Sequence, residues 1–241
     1  MTHAAPVIRI EPEGPAGTGL VEWERIDPAT LVSGEPVQRG HVYDEDAEAG
    51  YLAGVWECSA YTEPMAPYPV DEFMLVLGGE VVMILPGGER IPVRPGEAFV
   101  IPKGLECQWS VPDHVRKVFM ILDGAGPGAG ETAALGRITL PRLGPIAAEG
   151  AAVSVERTDF LNSDGRMSVS VLDCAAASLP PRRWPGSELL HVLAGDLTLA
   201  TEAGAERFAP GETACLPRGT RAGWTVAAGT RLLRARFEAG G

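Results

Sequence analysis

An internal duplication constrains the fold of this chain more than any other feature of its 241 residues. Residues 72–80 read EFMLVLGGE and residues 188–196 read ELLHVLAGD, so Glu, Val, Leu and Gly recur at equal spacing. The match continues at 95–97 with 210–212, 101–104 with 216–219, and Trp109 with Trp224. A separation of about 115 residues is too long for a solenoid repeat and indicates two copies of one domain.

Short apolar runs bounded by turn residues indicate β-strands within each copy. The 30 Gly and 21 Pro residues fall between these runs, as in proteins built from many short strands. In the first copy the predicted strands are residues 53–59, 72–77, 80–85, 98–101, 106–110 and 116–122, with a hairpin turn at 86–88. Asp27 and Pro28 predict only a turn or two of helix after them. The sequence therefore predicts an all-β protein in which each copy is a compact barrel or sandwich.

Composition and charge exclude several classes of partner. With 45% hydrophobic and 22% charged residues, the chain has the composition of a globular protein. Its net charge of -12 repels phosphate backbones, so no nucleic-acid partner is expected. No apolar run approaches the ~20 residues that span a bilayer, and the first residues lack the pattern of a secretory signal, so no membrane partner and a cytoplasmic location are predicted. The four cysteines form no Cys-x-x-Cys motif and are expected to be reduced thiols.

The order of these motifs resembles the cupin superfamily. Residues 72–79 resemble the end of the first cupin motif, 96–104 resemble the second, and 211–219 repeat the second. The resemblance implies a bicupin, with two tandem RmlC-like jelly-roll barrels of the double-stranded β-helix type. More narrowly, residues 107–109 and 115–117 resemble the subgroup named for ureidoglycine aminohydrolase and the ethanolamine-utilisation cupin.

The repeat and the resemblance together set the predicted domain limits. We expect an N-terminal arm over 1–44, a first cupin domain over 45–123, a Gly-rich linker and connecting segment over 124–157, and a second cupin domain over 158–241. The apolar residues 7–10 of the arm are expected to pair with a sheet edge of their own or of a partner barrel. Because dimers through such edges are common among cupins, the resemblance implies a homodimer as one partner.

The resemblance also locates the positions at which cupins bind a metal. Metal-binding cupins carry His-x-His before the motif Glu and a further His after the second motif. Here the first location reads PMAPYP over 64–69 and the second is Cys107; in the second copy they read PRRWP over 181–185 and Ala222. None of the four histidines falls at these places. The sequence therefore predicts neither a His-rich divalent metal site nor another cofactor.

Residues on one face of the predicted strands form the candidate site in the first barrel. Alternation puts Tyr68, Glu72 and Met74 on one face, which the resemblance makes the barrel interior, and Cys107 shares its parity with Trp109. Glu72 is the candidate general acid or base, and the other four are candidate ligand-binding residues. The alternatives are structural: Glu72 anchors a cation or an amide, Cys107 is a small buried apolar residue rather than a nucleophile, and Trp109 belongs to the core.

In the second copy, Arg182 and Glu188 are candidate ligand-binding residues. Arg182 could clamp a carboxylate beside Trp184, or be a solvated loop arginine. The predicted function is binding of a small polar metabolite in the N-terminal barrel by a metal-independent isomerase, lyase or hydrolase. The alternatives are a non-catalytic ligand-binding or regulatory cupin with a degenerate metal site, and a metalloenzyme resembling ureidoglycine aminohydrolase.

Overall fold

The computed structural model describes residues 5–124, 138–146 and 153–239. Nearly all of its regular structure is β-strand, as the turn-bounded apolar runs predict. Most of the predicted linker over 124–157 lies outside the described residues. Within the ranges described, no helix has the length and apolar character needed to cross a bilayer.

The chain divides into two compact units. The N-terminal unit is Glu11–Leu140, and the C-terminal unit comprises Pro141–Gly241 together with Met1–Ile10. The first strand of the chain therefore belongs to the C-terminal unit. The domain limits that the repeat suggests, including a separate arm over 1–44, stay a proposal about folding units.

The N-terminal unit contains ten of the strands and one 3₁₀ turn. Its strands are β2 (Val21–Glu22), β3 (Ser33–Gly34), β4 (Gln38–Asp46), β5 (Tyr51–Thr62), β6 (Ala66–Pro67), β7 (Asp71–Gly79), β8 (Val81–Ile84), β9 (Arg90–Val93), β10 (Ala98–Ile101) and β11 (Glu106–Leu122). The turn is Pro28–Thr30, and the Asp27 carboxylate caps it by accepting from Ala29 N at 2.9 Å.

All strands of this unit pair antiparallel around the long strand β11. The second half of β11 lies between β5 and β7 in the order β10-β7-β11-β5-β4-β2, and its first half pairs with β6 and β8. The sequence predicts two strands here, whereas the structure has one with an irregularity between Val111 and His114. Pro112 lies within that irregularity, where its missing N–H interrupts no ladder bond.

The C-terminal unit repeats this arrangement in two separate sheets. Its strands are β1 (Ile8–Ile10), β12 (Val155–Leu161), β13 (Met167–Cys174), β14 (Ala177–Arg183), β15 (Ser187–Ala194), β16 (Leu197–Thr201), β17 (Gly204–Phe208), β18 (Thr213–Leu216), β19 (Arg221–Val226) and β20 (Thr230–Phe237). One sheet has the order β1-β18-β15-β20-β13-β12 and the other β14-β19-β16-β17. The apolar run at the start of the chain pairs with β18 as an edge strand.

Each unit buries a core of its own between its strands. Phe99, Met83 and Trp109 lie in the N-terminal core, and Phe208 and Leu197 in the C-terminal one. These antiparallel sheets are the jelly-roll architecture that the resemblance implies, so the predicted fold class is confirmed. In the N-terminal core the charged side chains of Glu72 and Lys117 are buried, and they mark the candidate site.

Candidate functional site

A cavity of about 210 Å³ opens into the N-terminal barrel. Its walls are mostly apolar and aromatic: Trp23, Ile26, Leu52, Trp56, Trp109, Phe119 and Ile121. Its polar lining consists of Gln38, Tyr61, Glu63, Tyr68, Glu72 and Lys117. An apolar cleft with a few converging polar groups is the usual form of a small-molecule site, and this one is smaller than the roughly 300 Å³ at which drug-sized pockets begin.

A hydrogen-bonded chain of three polar side chains, of which Glu72 and Lys117 are buried and Tyr68 is half-buried, forms the floor of the cavity. Lys117 Nζ lies 2.8 Å from Glu72 Oε1, and the Tyr68 hydroxyl donates to Glu72 Oε2. Only 4% of Glu72 and 6% of Lys117 is exposed. Both carboxylate oxygens therefore have a donor, which is the condition under which a buried charge is tolerated.

Strand register brings these residues together. Glu72 and Lys117 lie on the neighbouring strands β7 and β11, with Lys117 opposite Val76 and Glu72 opposite Ile121. Positions that differ by an even number of residues share a face of a strand, so both side chains point to the same side of the sheet.

Aromatic rings surround the Lys117 ammonium. Nζ lies 4.6 Å from the centroid of the Trp109 ring and 4.8 Å from that of Trp56, within the range of cation–π attraction. It also lies 3.1 Å from Met74 Sδ. Trp56 is itself fixed, because its Nε1 donates to Gln38 Oε1 at 2.9 Å. The ammonium is held in one place by charge, rings and sulfur together.

Burial alters the proton affinity of the other polar groups of the cavity. Desolvation raises the pKa of the Tyr68 hydroxyl well above its usual value, and the neighbouring Glu72 carboxylate raises it further. Desolvation also raises the pKa of Tyr61 well above its usual value, and that of Glu63 above the ordinary 4.5. Tyr68 and Tyr61 therefore stay protonated at neutral pH and act as hydrogen-bond donors.

The structure places the candidates of the first barrel in different settings. Tyr68, Glu72 and Trp109 line the cavity. Met74 is fully buried beneath it and contacts Lys117 through its sulfur. Cys107 lies in the apolar core, where desolvation raises the pKa of its thiol to about 11. The cation in contact with Glu72 is Lys117.

In the second barrel, the two candidates lie in different surroundings. Arg182 is exposed on β14 with its guanidinium 5.1 Å from the centroid of the Trp184 ring. Glu188 is 2% exposed and pairs with Arg236 at 3.2 Å. Desolvation raises the pKa of Glu188, and Arg234 and Arg236 offset this only in part. Leu190, Leu197 and other apolar side chains fill the core of this unit.

The sequence does not predict several residues of the cavity. Trp23 and Gln38 lie in the predicted N-terminal arm outside the repeat, and Glu63 directly follows β5, which the sequence predicts to end at residue 59. The sequence does carry one signal for Trp23, which is that a tryptophan stands within a polar stretch. The sequence does not place Lys117 in the cavity, because its position depends on a strand register that the sequence does not specify.

The side chains of the cavity do not fit a divalent metal ion. Among the residues that the structure describes, no group of three or more His, Cys, Asp or Glu is placed to hold a metal. At the floor, the Lys117 ammonium already bonds the Glu72 oxygen that would coordinate one, and its charge opposes a second cation there.

Comparison with known proteins identifies one domain of the chain. Residues 45–119 match the EutQ-like cupin domain family. The N-terminal unit therefore contains a cupin domain. That match spans the strands that form the floor and most of the aromatic wall of the cavity. No curated protein is similar in sequence at a significant level.

Solved structures show the same fold over most of this chain. A protein of unknown function from Pseudomonas syringae pv. tomato str. DC3000 is 19% identical, with 95% of this chain and 98% of that chain covered and a TM-score of 0.72. A cupin 2 conserved barrel domain protein from Leptotrichia buccalis is 12% identical, with 91% and 98% covered and a TM-score of 0.59. A salicylate 1,2-dioxygenase from Pseudaminobacter salicylatoxidans is 12% identical, with 78% and 71% covered and a TM-score of 0.53. At these identities the likeness concerns the fold alone.

Proposed function

We propose that the N-terminal barrel binds a small polar molecule above Glu72 and acts on it by acid–base chemistry without a metal. The observation that carries this proposal is the hydrogen-bonded chain of Lys117, Glu72 and Tyr68 at the floor of an open cavity. A structural ion pair has no need of an adjacent cavity, whereas a catalytic one does.

Each group of the chain has a chemical role in this proposal. The Glu72 carboxylate accepts a proton from the bound molecule, and Tyr68, which keeps its own proton, fixes the orientation of that carboxylate. The Lys117 ammonium stabilises negative charge that develops on an oxygen of the ligand. Such a set suits proton transfer next to a carbonyl, the step shared by many isomerases and lyases.

A second candidate is binding without catalysis. The observation that favours it is the satisfaction of Glu72 and Lys117 by each other, by Tyr68 and by the rings of Trp56 and Trp109. Groups that are already paired resist becoming a proton acceptor or donor. Turnover of a bound compound separates this candidate from the first.

A thermal-shift screen of small polar metabolites tests the proposal. A ligand at one hundred times its dissociation constant stabilises the native state by about 2.7 kcal/mol, so a specific compound raises the unfolding temperature. We expect the shift to disappear in Glu72→Gln and to persist in the matched variant Glu188→Gln, which alters the equivalent carboxylate of the second barrel. Hits are then followed for turnover by NMR of the ligand.

The variants distinguish binding in the cavity from a general effect on folding. Tyr68→Phe serves as a second cavity variant if Glu72→Gln does not fold, because it keeps the ring and removes only the hydroxyl. The proposal fails if no compound shifts the wild type. It also fails if a compound that stabilises the wild type stabilises Glu72→Gln, or Tyr68→Phe where that variant replaces it, equally well.

A further inference from the structure

Glu63 is the one acidic side chain of the cavity whose charge is uncompensated among the residues described. Its carboxylate lines the cavity, yet within 5–124, 138–146 and 153–239 no donor bonds to it and no cation lies at ion-pair distance. By contrast, both oxygens of Glu72 are occupied by Lys117 and Tyr68. A largely desolvated carboxylate without a partner is costly, and one that borders an open cavity can be satisfied by the occupant.

Together, the charged side chains of the cavity favour a positively charged ligand. Lys117 and Glu72 cancel each other as a contact pair, which leaves the charge of an ionised Glu63. The net charge of -12 on the whole chain acts in the same direction on a ligand that approaches from solution. A carboxylate ligand would place a further negative charge beside Glu63.

The walls of the cavity suit the apolar part of a positively charged ligand. Trp23, Trp56 and Phe119 present aromatic surface, and Trp23 meets Phe119 edge to face with centroids 6.4 Å apart. Aromatic faces attract both rings and cations. The volume of about 210 Å³ limits the occupant to a molecule with roughly a single ring.

We infer that the ligand of the N-terminal barrel is a small primary amine whose ammonium group binds Glu63 and whose apolar part packs against the aromatic wall. This inference rests on the proposed function, because it requires that the cavity be a ligand site. It goes further by naming the chemical class of the ligand and a binding residue outside the hydrogen-bonded chain of the floor.

Binding of an amine is coupled to the protonation of Glu63. Desolvation raises the pKa of Glu63, while Lys117 lowers it and Glu72 raises it. The other titratable groups that interact with Glu63 are Tyr61, Tyr68, Cys58 and Cys107. Burial raises the pKa of all four of these groups, so they stay neutral across the range in which Glu63 titrates. An ammonium ion favours the ionised carboxylate, and binding therefore releases a proton at pH values where free Glu63 is protonated.

Calorimetric titration with three probes of one shape tests the inference. Benzylamine, benzyl alcohol and benzoate differ in charge and little in size. We expect benzylamine to bind the wild type at least about tenfold more tightly than benzyl alcohol, and benzoate to bind most weakly. Glu63→Gln should reduce that preference about tenfold and leave benzyl alcohol unchanged. Glu106→Gln is the matched control, because it removes the same charge from an exposed position of β11.

Repeating the titrations in two buffers of different ionisation enthalpy counts the protons released. We expect the wild type to release protons on binding benzylamine at acidic pH and fewer as the pH rises, and Glu63→Gln to release none. The inference is overturned if the alcohol or benzoate binds as tightly as the amine, or if Glu63→Gln behaves like Glu106→Gln. If a different compound binds in a manner that depends on Glu72, the proposed function survives that failure; if nothing binds, both fall.

Discussion

The two barrels share a strand register but differ in the side chains that fill them. The backbone bonds and pairings equate Glu63 with Leu179, Tyr68 with Trp184, Glu72 with Glu188 and Lys117 with Leu232. Only the glutamate is common to both. In the first barrel the changes leave an open cavity around an ammonium ion. In the second, Leu232 and Trp184 belong to an apolar core, whereas Leu179 is 41% exposed.

This difference shows that the retained glutamate does not by itself mark a site. Glu188 is as deeply buried as Glu72, but its cation comes from Arg236, the residue directly opposite on β20. Glu72 instead takes its cation from Lys117, which lies within the cavity. The position of the counter-ion therefore distinguishes the candidate site from its structural counterpart.

Exchanging the lysine for its counterpart in the second barrel should have the largest effect. Lys117→Leu leaves Glu72 buried without a cation, and we expect a loss of about 3–5 kcal/mol in the free energy of unfolding. The double variant Lys117→Leu with Glu72→Leu removes both charges and should recover much of that loss. Urea denaturation of the two variants and the wild type measures both. A double variant less stable than the single one would contradict the assigned pairing.

A smaller effect on the free energy of unfolding is expected when the Glu188 carboxylate of the second barrel is replaced. Because burial raises the pKa of Glu188 in the folded protein, the native state holds this proton at pH values where the unfolded chain has lost it. Its contribution to the free energy of unfolding therefore falls as the pH rises from 4.5 through the raised value. Glu188→Gln should remove that dependence, as measured by urea denaturation across this range. The exposed variant Glu202→Gln is the control, and an unchanged slope in Glu188→Gln would refute the assignment.

The smallest expected effect concerns the reactivity of the cysteine thiols, which should be equally low in both barrels. Cys58 and Cys174 correspond in the repeat, and burial raises their pKa to about 12 and about 11. With Cys107 also raised to about 11, few thiolates exist at pH 8. A thiol reagent such as dithiobis(nitrobenzoic acid) should therefore react with no cysteine of the folded protein and with all four after denaturation. A rapid reaction that Cys107→Ala removes would instead support a nucleophilic Cys107.

Local patterns in the sequence account for the fold and for part of the site. The repeated motifs and short apolar runs predict the all-β barrels, and alternation places Tyr68 on the same face as Glu72. Lys117 could not be placed in this way, because 45 residues separate it from Glu72 and only the pairing of β7 with β11 joins them. Glu63 and Trp23 were missed for a related reason: their positions depend on how loops and short strands close over the barrel.

The tryptophans offer the most direct test that the first barrel alone is the ligand site. Three of the five, Trp23, Trp56 and Trp109, line its cavity, while Trp184 and Trp224 contact each other in the second barrel. Indole N–H signals followed by NMR during titration with benzylamine, or with any hit from the thermal screen, report on both barrels at once. The account predicts shifts of the first three signals and none of the last two. Shifts confined to Trp184 and Trp224 would contradict it.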